Sequence, residues 1–583
     1  MTTRPAAQPP AAARVSPTRS PARTALLTGI LVTACALAYH NSLEGPFIFD
    51  DHQSVEENPH AHRLWPLTYS MRAPLASGVA GRPVVSLSIA INYAIGGLDV
   101  TGYHLANALF HVASVLLLFG IARRTFQVVS DNRASSEGSP GLKAWAFGGN
   151  TDSVALSIAL LWSVHPLLTE SVTYIIQRTE LLMGLFFLAT LYCFICGATS
   201  ASSRARAGWY ATSVIACALG MGSKEVMVTA PVIVLVYDRL FLAGSFGAAL
   251  RTRWRFYVLL GLTLAIVPIL LMTSVAFVSK SGGGFERLTV WQNLLTQSGV
   301  IVHYLRLALW PSKLVIDYDD WPIAHSPVEV LPQALLIVAL LVLSAYGLWR
   351  GYRLAFLGAW FFVILAPTSS FLPLGTEIAG ERRMYLPMIA IVTLVVLGGR
   401  FALTQLSGRF AWRPSSVRLS GALAVIILAG AMIATTVNRN EDYRTAVSIY
   451  GDAAAKRPNN ARARLNLGVA LYKLGQVEPA RRAIQQALDL KRDYPDAHYY
   501  MGILVLGDTK PDRAALHFAL AQKGRPHWPL PYVRLGELLE AKDAEQARKM
   551  YEVARKIAAG AGQGVLVAEI DAKLAALANR GPA

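Results

Sequence analysis

The sequence is poor in charged residues and in cysteine, and each shortage excludes a class of protein. Only 15% of its 583 residues are charged and its mean hydropathy is +0.40, which is too apolar for a soluble chain of this length. Its four cysteines all lie in apolar segments, so they offer no disulfide framework and no zinc site. The Cys193–Cys196 pair has CxxC spacing without the context of a redox fold. The composition therefore indicates a polytopic membrane protein.

The formal net charge of +18 raises the alternative of a nucleic-acid-binding protein. A nucleic-acid interface needs basic residues gathered in one patch or stripe. Here arginine and lysine are divided among short loops that flank apolar segments. That distribution is typical of the cytoplasmic loops of membrane proteins, so the charge predicts topology and not nucleic-acid binding.

Hydropathy and loop charge predict about eleven transmembrane helices in residues 25–438, with a disordered cytoplasmic N-terminus over residues 1–24. Residues 289–310 have one apolar helical face, which fits an interfacial or re-entrant helix at least as well as a span. The predicted spans cover about 24–42, 100–122, 152–168, 181–197, a segment reaching Gly222, a segment reaching Asp238, 256–278, 332–349, 354–372, 386–403 and 419–437.

This topology places the N-terminus in the cytoplasm and the C-terminus on the opposite side. It also gathers the ionisable groups of the non-cytoplasmic loops on one face, whereas a transporter would more naturally bury charges near the midplane. The groups on that face are Asp50, Asp51, Arg82, His165, Glu170, Arg178, Lys224, Glu225, Asp317, Asp319, Asp320, Glu377, Glu381, Arg382 and Arg383.

Beyond residue 438 the sequence repeats with a period of 34 residues. Leu467-Gly468, Met501-Gly502 and Leu535-Gly536 are 34 apart, as are Ile484 and Phe518. This is the tetratricopeptide pattern, in which small residues let the two helices of a repeat approach and large residues fill the space between neighbours. We predict a tetratricopeptide α-solenoid over residues 439–575, placed to present a polypeptide to the acidic face of the membrane domain.

The first non-cytoplasmic loop contains Phe47-Ile48-Phe49-Asp50-Asp51-His52, a carboxylate pair close to the first span. Such a pair at the membrane boundary suggests a chemical role. The plain alternative is two solvated acids in a loop.

The order of motifs along the chain resembles that of the transmembrane and tetratricopeptide repeat-containing O-mannosyltransferases of the GT-C superfamily. Five further motifs lie between the acidic motif and the repeats. In chain order they are Gly81-Arg82-Pro83, Tyr103-His104-Leu105-Ala106-Asn107 with His111, His165-Pro166 with Glu170 and Arg178, Lys224-Glu225, and Glu381-Arg382-Arg383-Met384-Tyr385-Leu386-Pro387. This chain has fewer repeats than the animal members usually carry.

The resemblance implies an all-α, polytopic GT-C fold, a polyprenyl or dolichyl phosphate sugar as donor, and a Ser or Thr hydroxyl of a protein as acceptor. A membrane-anchored donor agrees with the absence of a Gly-rich nucleotide loop and of a Rossmann unit from the sequence. A hydroxyl is a poor nucleophile, so a carboxylate must take its proton. Asp50 or Asp51 is the candidate base, and the superfamily implies an inverting single displacement.

The leaving lipid phosphate needs fixed cations, and a guanidinium suits phosphate oxygens. We expect Arg178 and Arg382 to bind it, with Arg82 and Lys224 behind them. Each could instead be a helix-end cation facing lipid headgroups. The other candidates for contact with the donor are Glu170, His104 and His165; Glu170 could orient Arg178 or a sugar hydroxyl, or merely cap a helix. His104, His111 and His165 could also be metal ligands together with Asp50 and Asp51, but polar groups near helix ends more often hydrogen-bond to the backbone or to one another. No metal site and no cofactor is assigned.

Two alternatives to protein O-mannosylation stay open on the sequence. One is a GT-C transferase that acts on a cell-envelope glycan or lipid, and the other is a non-catalytic membrane anchor for the repeat array. The Ala- and Arg-rich composition without disulfides favours a bacterial inner membrane, with the active site and repeats in the periplasm.

Overall fold

The computed structural model describes residues 20–74, 77–134, 151–270, 272, 288–369, 377–410, 412–561 and 563–579. Most of the predicted N-terminal segment, residues 1–19, lies outside them. The described residues form helices, turns and loops, with no β-strand among them. The predicted all-α class is confirmed.

The first part of the chain is a bundle of long apolar helices. Its largest core cluster joins residues from Leu31 to Ala429, so the helices pack as one body. The helices of ten or more residues are Pro21–Tyr39, Pro83–Gly96, Val100–Ala134, Thr151–Ser163, Arg178–Thr199, Ser203–Met221, Phe246–Leu262, Val290–Leu309, Leu331–Arg350, Ala355–Leu365, Met388–Arg409 and Pro414–Asp442. Between several of them lie short helical turns, such as Pro166–Leu168 and Thr169–Thr173.

Eight helices in the described residues are long and apolar enough to cross a membrane, or nine if the bent pair Thr151–Ser163 and Pro166–Thr173 is one span. Each of the eleven predicted spans coincides with a helix. Two of them fall short of that test: Ser203–Met221, whose first turn carries Arg204 and Arg206, and the 11-residue helix Ala355–Leu365. The last residues of the predicted spans 256–278 and 354–372 lie outside the described ranges.

The ambiguous segment 289–310 is a 20-residue helix, Val290–Leu309. Thr289 and Gln292 form a capping box at its start, which satisfies exposed amides of the first turn. Asn293, Thr296 and Gln297 are buried on its inner face. This helix is not among the apolar candidates for a span, because polar residues occupy much of its surface.

The C-terminal region consists of helix pairs at the predicted spacing. The helices are Ala446–Lys456, Ala461–Lys473, Val477–Leu490, Pro495–Gly507, Pro511–Gly524, Pro529–Leu539, Ala544–Gly560 and Gly564–Asn579. In each full repeat a glycine lies against a large side chain. A Cβ added there would lie 2.5 Å from Ile484 at Gly468, 2.7 Å from Phe518 at Gly502 and 2.6 Å from Tyr551 at Gly536. The 34-residue pattern is therefore a pattern of helix contacts, and the predicted solenoid is confirmed.

The first repeat helix, Ala446–Lys456, which we name the docking helix, packs on the membrane bundle. Its Ile449 and Tyr450 share a core cluster with Phe47 and Ile48 of the acidic motif. Lys456 donates from Nζ to the Leu314 carbonyl at 3.0 Å. Two ion pairs, Arg457–Asp320 and Arg462–Asp317, extend this interface to the loop before Leu331. The repeats are thus held directly against the loop that contains Asp50.

Candidate functional site

The acidic motif makes a sharp turn that presents its two carboxylates in opposite directions. Phe49 has φ of +44°, a left-handed conformation that is unfavourable for a bulky residue. A helical turn starts immediately after it, with Asp51 N–H donating to the Ile48 carbonyl at 2.9 Å. Asp50 and Asp51 therefore have different environments, although they are adjacent in sequence.

Asp51 is a buried structural residue. Its side chain is 0% exposed. Oδ2 accepts the amide of Ile48 at 3.0 Å, and Oδ1 accepts the amide of Ile176 at 2.8 Å. Burial raises the pKa of Asp51 far above its ordinary value, while these two amides act in the opposite direction. With each oxygen engaged and no exposed surface, this carboxylate holds the loop and has no access to an acceptor hydroxyl.

Asp50 is the exposed member of the pair. Among the described residues, its carboxylate accepts no hydrogen bond and forms no ion pair. The neighbouring protein atoms reduce the hydration of the Asp50 carboxylate, which raises its pKa. The positive charges of Arg382, Arg462 and Arg82 oppose that rise. A carboxylate that is accessible, unpaired and surrounded by cations can accept a proton from a bound hydroxyl.

The Gly81-Arg82-Pro83 motif lies beside Asp50 through the loop that precedes it. A Cβ at Gly78 would lie 3.4 Å from Asp50 Oδ2, so glycine permits the close approach of this loop. Arg82 donates from Nη1 to the Gly78 carbonyl at 2.7 Å and pairs through Nη2 with Glu225 at 3.2 Å. Its side chain stays 25% exposed. Arg82 therefore presents a partly open cation at the edge of the site.

Arg382 is held near Asp50 by two carboxylates. Its Nη1 donates to Glu170 Oε1 at 2.6 Å, and its backbone amide donates to Oε2 of the same carboxylate at 2.9 Å. Nη2 pairs with Glu377. Its side chain is 16% exposed and Glu170 is buried. Glu170 thus orients Arg382. The sequence had suggested Arg178 as one possible partner of Glu170.

Arg178 is fully enclosed among helices. Its guanidinium donates to Asn107 Oδ1 at 2.9 Å, Asn92 Oδ1 at 2.5 Å, the Ser88 carbonyl at 3.1 Å and the Tyr103 carbonyl at 2.9 Å. The residue is 0% exposed. These bonds tie the helices Pro83–Gly96 and Val100–Ala134 to Arg178–Thr199. The geometry fits a structural cation and does not fit the predicted contact with the lipid phosphate.

Two further cations have internal partners. Lys224 donates from Nζ to Glu180 Oε1 at 2.5 Å, and both side chains are less than 10% exposed. Arg383 donates to the carbonyls of Thr368, Ile378 and Glu377. Lys224 therefore has its charge compensated below the site surface, which weakens its predicted role at the donor.

The candidate histidines are buried and bonded to backbone groups. His104 Nε2 lies 2.9 Å from the Gly45 carbonyl, and His165 Nε2 lies 3.1 Å from the Ala308 carbonyl. His165 Nδ1 also accepts the amide of Leu167, as the N-cap of a short helix. These contacts fit loop anchoring better than contact with the donor. In the described ranges, no group of three or more His, Cys, Asp or Glu side chains could hold a metal ion.

Three residues near Asp50 were not singled out as site residues from the sequence. Tyr174 and Tyr450 accept backbone amides of the acidic motif, and Arg462 of the repeats acts on Asp50 electrostatically. Each is distant in sequence from Asp50. No spacing rule in the sequence indicates that the docking helix, which contains Tyr450, rests on the loop of Asp50.

Comparison with known proteins finds matches along nearly the whole chain. A tetratricopeptide repeat family profile matches residues 439–502. Protein O-mannosyl-transferase Tmtc3 of Drosophila melanogaster is 26% identical over 84% of this chain and 58% of its own length. TMTC3 of Mus musculus is 25% identical over 90% and 59%, and TMTC3 of Homo sapiens is 24% identical over 91% and 60%. The chain spans about three fifths of the length of these relatives.

Among solved structures, ArnT from Cupriavidus metallidurans bound to undecaprenyl phosphate has a TM-score of 0.38 and 16% identity, over 90% of this chain and 81% of its own. The sequence matches are longer than either the membrane region or the repeats alone, so they include parts of each. The resemblance indicated by the motif order is thus confirmed: the chain is similar to TMTC-type protein O-mannosyl-transferases through its membrane helices and into its repeats.

Proposed function

We propose that the chain is a membrane-embedded glycosyltransferase that moves mannose or another hexose from a polyprenyl or dolichyl phosphate sugar to Ser or Thr hydroxyls of proteins on the non-cytoplasmic side. One observation carries the proposal. Asp50 is an accessible, unpaired carboxylate surrounded by cations, in a chain similar to named O-mannosyl-transferases. We place it in a bacterial inner membrane, with the site and the repeats in the periplasm.

The proposed reaction is a single inverting displacement. The acceptor oxygen attacks the anomeric carbon of the donor while Asp50 takes the hydroxyl proton. The bond from that carbon to the phosphate oxygen breaks, and its electron pair leaves with the lipid phosphate. General base catalysis of this kind contributes roughly 10² to 10⁴ in rate. One carboxylate suffices, because no covalent sugar intermediate has to form.

The leaving phosphate gains negative charge, which a preorganised guanidinium stabilises. We assign this role to Arg382, because Glu170 fixes its orientation and its charge acts on Asp50. Arg82 is the second cation, since its side chain is partly exposed next to Gly78. Arg178 and Lys224 support the site from beneath, through their buried hydrogen bonds.

The domain arrangement follows from these roles. We assign residues 1–24 to a cytoplasmic N-terminus, residues 25–438 to the transferase domain and residues 439–575 to the repeat domain. The docking helix rests on the loop of Asp50, so the repeats stand where a polypeptide would approach the base. Solenoid repeats bind extended chains on their concave faces.

Membranes containing the protein, loaded with labelled polyprenyl phosphate mannose, test the proposal. We expect label in protein for the wild type and a loss of at least about 10²-fold for Asp50→Asn. Arg444→Gln, which removes an exposed charge elsewhere, is the control and should transfer normally. Label only in lipid or polysaccharide would replace the protein acceptor by a glycan or lipid acceptor. No transfer from any labelled polyprenyl phosphate hexose would leave the repeat scaffold as the better account.

A further inference from the structure

Two tyrosine hydroxyls hold consecutive backbone amides of the acidic motif. The amide of Phe49 donates to Tyr450 Oη at 3.2 Å, and the amide of Asp50 donates to Tyr174 Oη at 3.0 Å. Tyr174 belongs to the membrane bundle, and Tyr450 belongs to the docking helix of the repeats. The backbone at the candidate base is therefore held from two domains at once.

The conformation held in this way is an unfavourable one. Phe49 has φ of +44°, and such a conformation persists only where the surroundings impose it. The same two tyrosines also contact its ring. Phe49 and Tyr450 pack edge to face with centroids 4.8 Å apart, and Tyr174 lies tilted at 6.4 Å. The hydrogen bonds from the two backbone amides and the ring contacts together fix the direction in which Asp50 points.

The start of the repeat region, from the docking helix to Arg462, is anchored on the membrane bundle independently of the Tyr450 hydroxyl. Lys456 bonds to the Leu314 carbonyl, Arg457 pairs with Asp320, and Arg462 pairs with Asp317. Tyr450→Phe removes the hydroxyl and leaves these three anchors and the aromatic ring in place. The bond to Phe49 is therefore not needed to dock the repeats, and a different role has to explain it.

We propose that Tyr174 and Tyr450 form a clamp that positions the Asp50 carboxylate, so that the repeat domain supplies a positioning residue for the transfer reaction. This inference rests on the proposed function of Asp50 as the base. It extends that function, because the repeats then control the turnover rate in addition to binding the acceptor. A reacting group displaced by about 1 Å loses up to about 10² in rate.

The test compares Tyr450→Phe, Tyr174→Phe and the double variant with the wild type in lipid nanodiscs. Each single variant should lower kcat about 10-fold and the double variant about 100-fold, with KM for donor and acceptor within about 2-fold. Hydrogen exchange of the peptide spanning residues 47–52 should accelerate about 5-fold in each single variant, as expected when one hydrogen bond is lost. Tyr472→Phe, an exposed repeat tyrosine, is the control and should match the wild type in each measurement.

The two readouts separate this inference from the proposed function. If the wild type transfers no sugar, exchange still decides the clamp: faster exchange in Tyr450→Phe supports it, and unchanged exchange overturns it. If the wild type is active, an unchanged kcat in Tyr450→Phe overturns the positioning role. A raised KM for the acceptor with unchanged kcat also overturns it, because Tyr450 would then act by touching the acceptor.

Discussion

Glu170 holds Arg382 by two atoms of the same residue: Oε1 accepts Nη1 at 2.6 Å, and Oε2 accepts the backbone amide at 2.9 Å. Because the carboxylate contacts both ends of the arginine, it fixes the side chain relative to its own backbone. A charge-assisted pair of this kind is stronger than a neutral hydrogen bond. Arg382 is thereby a fixed cation next to Asp50, and the proposed leaving-group and base functions are electrostatically coupled.

That coupling predicts how the pH dependence responds to loss of Arg382. The charge of Arg382 lowers the pKa of Asp50 against the effect of burial, which raises it. Arg382→Gln removes the lowering contribution, so the pKa of Asp50 rises further. We expect the acid limb of the kcat/KM profile to move to higher pH, together with a lower rate at all pH values. An acid limb that stays in place in Arg382→Gln while Arg444→Gln behaves like the wild type would contradict the coupling.

Arg178→Lys should damage the fold more than the chemistry. The Arg178 guanidinium donates to four oxygens on two neighbouring helices, and a lysine ammonium has three donors without the planar fork. We expect a loss of about 3 kcal/mol in stability, measured by thermal unfolding in detergent, with KM for the donor nearly unchanged in the folded fraction. Arg206→Lys, at an exposed position, is the control. A raised donor KM at unchanged stability would restore the phosphate role.

Glu381 predicts a pH-dependent stability. Burial raises its pKa to about 7 from an ordinary 4.5, so the folded protein binds this proton more tightly than the unfolded chain. The contribution of protonated Glu381 to the free energy of unfolding is therefore fully present below pH 4.5 and is lost as the pH rises through 7. The change is about 3 kcal/mol. Glu381→Gln keeps an acceptor for the Val315 amide and the Tyr318 hydroxyl but cannot ionise. Its stability relative to the wild type should increase between pH 5 and pH 8. Parallel pH curves for the two proteins would refute this assignment.

The repeat contacts can be tested within one helix. At Gly502 an added methyl group would meet the Phe518 ring at 2.7 Å, whereas at Gly507 nothing lies within 4 Å. Gly502→Ala should destabilise the repeats by about 1 to 3 kcal/mol through overpacking. Gly507→Ala should be neutral or slightly stabilising, because alanine favours the helix. Equal effects of the two changes on unfolding would show that the glycine contact does not limit the packing.

The features that could be predicted from the sequence are those that follow from a regular pattern, namely the length of apolar segments and the repeat spacing. Hydropathy located the helices because each span needs about 20 apolar residues, and the 34-residue spacing located the contacts of Gly468, Gly502 and Gly536. Side-chain partners in the site could not be predicted in that way. Arg178 and Arg382 are both arginines near helix ends, and only the tertiary packing distinguishes the fully buried Arg178, with its four acceptors, from the partly exposed Arg382. The same holds for Asp50 and Asp51, which one backbone turn directs into solvent and into the core.

We propose that Asp50, and not Asp51, takes the acceptor proton. The direct measurement is single-turnover transfer from labelled polyprenyl phosphate mannose by purified protein in nanodiscs, with thermal unfolding of the same samples. Asp50→Asn should keep the wild-type unfolding temperature and lose about 10² to 10⁴ in rate. Asp51→Asn should unfold at a lower temperature, because one of the two hydrogen bonds that Asp51 accepts from backbone amides is lost. Wild-type transfer by a fully folded Asp50→Asn protein would contradict the claim.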